Sequence, residues 1–136
     1  MNSKSASPQW HTSILIIDDE IAFCTVLREI LSPRGYDVRA AHRASEALHI
    51  LKSFTPDIIL TDIMMPELDG LSLVRLIRDL PQFVKTPIVV VSAKSMLEDH
   101  EEVLQAGADE LLSKPFTSQE LLLTIQRHLN TTQPPQ

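Results

Sequence analysis

Short apolar runs without a polar break constrain the fold of this chain more than any other feature: Ile14-Leu15-Ile16-Ile17, Ile58-Ile59-Leu60, Ile88-Val89-Val90-Val91 and Leu111-Leu112. Such runs suit strands buried on both faces of a parallel sheet. Three of them end in charge: Asp18 and Asp19 follow the first, Asp62 follows the second after Thr61, and Lys114 follows the last after Ser113. Parallel sheets bind ligands in the crevice beyond the carboxyl ends of their strands, so these four charges are expected in one pocket. Three carboxylates that close repel one another unless a cation lies between them, which points to a hard divalent metal and phosphate chemistry.

From residue 13 onward, strand-like and helix-like patterns alternate about five times with short links, the sequence form of a doubly wound α/β domain. Strands are expected near 13–18, 36–41, 57–62, 87–92 and 109–113. The second differs from the others. Tyr36, Val38 and Ala40 alternate with Asp37 and Arg39, the period of a half-exposed strand, which predicts an edge position. The first helix carries Phe23, Val26, Leu27, Ile30 and Leu31 on one face, and the fifth carries Leu121, Leu122, Ile125 and Leu129. These stripes read as core. Ser95 to Glu98 and Thr117 to Glu120 match the reciprocal capping box, and Gly35 and Gly107 stand where a left-handed C-terminal residue is wanted.

With 136 residues, 43% of them hydrophobic, the chain fits one domain. We assign residues 13–130 to it, with polar tails at 1–12 and 131–136. A net charge of −6 with 12 scattered Lys and Arg argues against a nucleic-acid surface. Cys24 is alone and reads as a small buried hydrophobe, so no disulfide framework exists. No signal-peptide core and no apolar stretch of ~18 residues is present, which predicts a soluble cytoplasmic protein. The five histidines, at 11, 42, 49, 100 and 128, lack metal-ligand spacing and are expected as polar residues on the surface. Asp57 and Asp69 read as cap or loop residues. The acidic run Glu98, Asp99, Glu101, Glu102 reads as the wet face of the fourth helix.

Ile17-Asp18-Asp19-Glu20, Thr61-Asp62-Ile63-Met64-Met65-Pro66 with Asp69-Gly70, Val91-Ser92-Ala93 and Lys114-Pro115-Phe116 together resemble the receiver domain of bacterial two-component response regulators, of the single-domain chemotaxis type. The resemblance implies a flavodoxin-like fold, five parallel strands in the order 2-1-3-4-5 with helices on both faces. It implies that Asp62 accepts a phosphoryl group from a histidine kinase or a histidine phosphotransfer protein. It further implies Mg²⁺ held by Asp19, Asp62 and the Met64 backbone carbonyl, with Asp18 acting through a water. Ser92 matches the hydroxyl that bonds a phosphoryl oxygen, Lys114 the lysine that ion-pairs with the site, and the bond before Pro115 is expected to be cis. Met64 and Lys94 hold the positions that tune dephosphorylation. A downstream protein would dock on the face of the fourth helix, fifth strand and fifth helix, the chain being a monomer or a weak phosphorylation-dependent dimer.

One position departs from the family pattern. Leu111 stands where many receivers place an aromatic ring that couples to the hydroxyl at the Ser92 position. A leucine can repack but has no ring or hydroxyl to report the change, so a different or weaker output is expected. The leading expectation is a signalling module that catalyses its own phosphorylation and slow dephosphorylation. A phosphorelay intermediate and a receiver excised from a longer kinase or regulator are equally compatible. A magnesium-dependent phosphohydrolase would need an acid where Met64 stands; a phosphorylation-independent docking domain is kept open by Leu111.

Overall fold

The computed structural model describes residues 12–65, 68–93 and 100–132. Five strands form one parallel sheet: β1 (Ser13–Ile17), β2 (Asp37–Ala41), β3 (Ile58–Thr61), β4 (Ile88–Ala93) and β5 (Glu110–Lys114), in the order β2-β1-β3-β4-β5. Helices α1 (Ile21–Leu31), α2 (Ala44–Ile50), α3 (Gly70–Arg78), α4 (His100–Ala106) and α5 (Ser118–Thr132) alternate with them. The expected order and fold class are therefore present.

The alternation of side chains along each strand sorts the core into two layers. Leu15, Ile17, Ile59 and Val90 point to one face and pack with Ala44 and Ala47 of α2, Leu73, Val74 and Ile77 of α3, and Val103 of α4. Ile14, Ile16, Ile58, Leu60, Val89 and Val91 point to the other, against Leu27 and Leu31 of α1 and Leu121, Ile125 and Leu129 of α5. Both faces being covered explains the unbroken apolar runs within the central strands.

Register brings the strand ends level. Ile17 pairs with Ala41 on one side and Thr61 on the other, and Ser92 pairs with Ser113. Residues just beyond Ile17 and Thr61 therefore emerge side by side. At the other end, Thr12 accepts a hydrogen bond from the Asp37 backbone at 2.8 Å.

The helix ends follow the expected chemistry. Thr117 and Glu120 form the reciprocal capping box, Glu120 N–H donating to Thr117 Oγ1 at 3.0 Å and Thr117 N–H to Glu120 Oε1 at 2.8 Å. Gly35 and Gly107 have φ of 91° and 121°. Asp69 caps α3 by accepting from Ser72 N–H at 2.9 Å, and Asp57 accepts from Ser13 N–H at 2.8 Å. The box proposed at Ser95, and Glu98 and Asp99, lie outside the described residues; Glu101 and Glu102 are exposed on α4.

One expectation needs correction. Val26 was expected in the buried stripe of α1, but it is 50% exposed. The buried positions are Cys24, Leu27 and Leu31, and Phe23, Val26 and Ile30 form the adjoining stripe that lines a groove of about 420 Å³ with Lys114, Pro115 and Phe116. Only β2 announced an edge in its pattern; β5 is the opposite edge, as the expected order requires, and is half-buried throughout. It conceals this because Leu111 and Leu112 pack on opposite layers.

Candidate functional site

The first three acidic side chains meet because their strands end together. The ladder continues one step past each strand: Asp18 N–H donates to Ala41 O at 3.0 Å and Asp62 N–H donates to Ile17 O at 2.9 Å. One carboxylate oxygen from each of Asp18, Asp19 and Asp62 lies within 4.8 Å of the others. Asp18 is buried, Asp62 half-buried and Asp19 exposed, so the cluster opens to solvent on the Asp19 side. Burial raises the Asp18 carboxyl above its usual range, against the opposing pull of the Glu20 backbone N–H and of Lys114.

Lys114 enters from β5. Its Nζ donates to Asp18 Oδ2 at 3.1 Å and lies 3.8 Å from Asp62 Oδ2 and 3.9 Å from Glu20 Oε1. The Lys114–Pro115 bond is cis. Ser92, buried near the end of β4, donates to Asp62 Oδ1 at 2.9 Å, and Ile63 N–H donates to the same oxygen at 2.7 Å. Asp62 Oδ1 is thus held by two donors, while Oδ2 faces the ammonium.

The start of α3 closes the floor. Gly70 N–H donates to Ile63 O at 2.6 Å, and a β-carbon on Gly70 would overlap the Asp62 carbonyl oxygen. Asp69-Gly70 therefore serves two local needs, a cap and a close backbone approach.

Other expected residues are placed as follows. Met64 has an exposed side chain, two residues beyond Asp62. Leu111 is half-buried and packs against the core layer of Leu15 and Ile17. Lys94 lies outside the described residues.

Three neighbours of the site were not singled out in the sequence. Glu20 stands near Lys114, Phe23 lies beneath its ammonium at 4.0 Å from the ring centroid, and His42 Nδ1 lies 3.1 Å from Asp18 O. Glu20 was visible as the third acid of its run. His42, expected on the surface, is half-buried because it follows β2, next to β1 in the sheet. His128 is likewise half-buried, 2.6 Å from Glu110 Oε1.

Chemically, the cluster offers carboxylate oxygens and one ammonium. Clustered carboxylates that one lysine cannot neutralise form a donor set for a hard divalent cation. Among the described residues this is the single group of such ligands, and no helix there is long and apolar enough to cross a membrane.

Comparison with known proteins identifies the family of this fold. The chain is 40% identical over 121 residues to the response regulator MprA of Mycobacterium avium, covering 89% of this chain and 52% of that protein. It thus spans about half the length of the curated relatives it matches. Its fold superposes on the chemotaxis response regulator CheY4 of Vibrio cholerae with a TM-score of 0.82, at 32% identity over 88% of this chain and 99% of that one. The signal receiver domain of a histidine kinase from Syntrophus aciditrophicus gives a TM-score of 0.83 at 29% identity, covering 92% and 95%. Residues 14–126 match the response regulator receiver domain, and the chain belongs to that family.

Proposed function

We propose that this receiver, residues 13–130, takes a phosphoryl group from a phosphohistidine on a partner kinase or phosphotransfer protein onto Asp62. The observation that carries this reading is the asymmetric environment of the Asp62 carboxylate. Ser92 and Ile63 N–H hold Oδ1, and Oδ2 is turned toward Lys114 at 3.8 Å. Oδ2 is then the attacking oxygen: its lone pair forms the new O–P bond as the P–N bond to the imidazole breaks, and the imidazole nitrogen keeps that electron pair. Lys114 pairs with the phosphoryl oxygens, and the Ser92 hydroxyl exchanges Oδ1 for one of them.

Asp19, Asp62 and the Met64 backbone carbonyl would hold Mg²⁺, with Asp18 acting through a water. When bound, the ion supplies neutralisation of charge on the transferring oxygens. The chain's own residues orient the acceptor and hold the opposing charges. Slow dephosphorylation follows from water access on the Asp19 side, tuned by Met64 and Lys94. No acid replaces Met64 to drive turnover of outside substrates. The phosphorylated state is read by a protein docking on the face of α4, β5 and α5, through a shift between two arrangements of that face.

The direct test is incubation with Mg²⁺ and acetyl phosphate followed by intact mass. One metal-dependent phosphoryl increment on the wild type, absent from Asp62→Asn, is expected. A second reading, docking without phosphorylation, draws on Leu111 packing as ordinary core. It gains if no increment forms under conditions that label a known receiver.

A further inference from the structure

A lysine ammonium is strongly hydrated and sits on a flexible stem, so holding it inside a pocket requires partners on several sides. For Lys114 one hydrogen bond is in place, to Asp18 Oδ2 at 3.1 Å. Glu20 and Asp62 stand off at 3.9 and 3.8 Å. A further close neighbour is uncharged: Nζ lies 4.0 Å from the centroid of the Phe23 ring. Phe23 comes from the first turn of α1 and is half-buried. Its ring meets Phe116 edge to face, with centroids 6.1 Å apart and planes at 76°. Phe116 follows Lys114 by two residues. The ring over the ammonium is therefore fixed by the segment that carries the lysine.

We propose that Phe23 is a positioning residue for Lys114, holding the ammonium over the acidic site both before and after phosphoryl transfer. The proposal rests on the reading of Asp62 as the acceptor. The physical argument is one of directionality. As the ammonium shifts toward a phosphoryl oxygen on Asp62, its hydrogen bond to Asp18 depends on how its three donors are turned. Attraction to the negative face of an aromatic ring involves no lone pair and tolerates that turn. Phe23 thus supplies a contact that persists while the charged partners exchange. A leucine at this position fills the same side of the core but offers no such face.

The test uses the full chain as wild type, Phe23→Leu and Phe23→Tyr, with Mg²⁺ and acetyl phosphate. Labelling rates at varied donor concentration are read by intact mass, and the Lys114 ε-methylene resonance is read by NMR. The ring current is expected to shift that resonance upfield in the wild type and in Phe23→Tyr, and not in Phe23→Leu. The kcat/KM for labelling is expected to fall about three- to tenfold in Phe23→Leu, with Phe23→Tyr within about twofold of wild type. Equal labelling of wild type and Phe23→Leu overturns the proposal and leaves the acceptor reading intact. So does an unshifted methylene in the wild type, or a Tyr variant as slow as Leu, which would make the role one of packing. A wild type that takes no phosphoryl group overturns the acceptor reading itself, and the positioning role with it.

Discussion

A β-carbon at position 70 would overlap the Asp62 carbonyl oxygen and lie 2.7 Å from Ile63 Cα. Both obstacles are backbone, which cannot swing aside as a side chain can. Gly70→Ala must push α3 away from the loop that follows β3, breaking the bond from Gly70 N–H to Ile63 O. We expect a loss of about 3 kcal/mol in chemical denaturation, together with slower labelling of Asp62. Wild-type stability in this variant would mean that the α3 start is loosely packed. Cys24 gives a second prediction at this scale. Its thiol is buried and donates to Asp18 O at 3.5 Å, and burial, with the Asp18 charge, pushes its pKa up to about 11. Near neutral pH the thiolate is then roughly a hundredfold scarcer than for a free cysteine. Iodoacetamide should modify Cys24 slowly in buffer and rapidly in urea. Fast modification of the native protein would contradict the burial described.

Between elements, Arg78 at the end of α3 gathers segments distant in sequence. Its guanidinium donates to Gly107 O at 2.9 Å, Phe83 O at 2.8 Å and Thr86 O at 2.6 Å, and pairs with Asp109 Oδ2 at 2.7 Å. Asp109 in turn accepts from Ile88 N–H at 2.9 Å. One side chain thus ties α3 to the turn before β4 and to the loop between α4 and β5, and so supports the two strands that present Ser92 and Lys114. Arg78→Ala removes every donor at once, and about 3 kcal/mol of stability should go with it in urea titration. Arg78→Lys should recover only a small part, because one ammonium cannot reproduce the fork; full recovery would reduce the network to a single ion pair. Arg78 was not legible in the sequence, since its partners lie up to 31 residues away and carbonyls leave no signature in a side-chain pattern. The strand ends were legible because three of the apolar runs give way to charge within two residues, which brought out Asp18, Asp19, Asp62 and Lys114. The edge character of β5 was hidden by Leu111 and Leu112. Phe23 carried a pattern signal for the core, and nothing in that pattern reveals which of its faces meets a lysine on β5, at the edge of the sheet.

For the molecule as a whole, the acidic cluster couples folding to protonation, and the proposed cation would enter the same balance. Burial raises the Asp18 pKa in the folded chain relative to the unfolded one. A raised folded pKa means that the native state binds this proton more tightly. The stabilisation it gives is therefore present below the unfolded carboxylate's pKa and is lost as pH rises through the folded pKa. The metal-free protein holds Asp18 in a buried site, beside two further carboxylates with one lysine among them. A divalent cation that binds only the folded form relieves that repulsion and stabilises the fold by mass action, about 1.4 kcal/mol for each tenfold excess over its Kd. Mg²⁺ should raise the melting temperature of the wild type. The rise should be larger at about pH 7 than at about pH 5, because protons compete for Asp18 in the acid range. Asp19→Asn, which removes an exposed ligand without disturbing the buried hydrogen bonds, should shrink the Mg²⁺ response at both pH values while leaving the metal-free melting temperature unchanged or higher. A melting temperature indifferent to Mg²⁺ at either pH would show that Lys114 alone balances the cluster, and would remove the cation from the proposed chemistry.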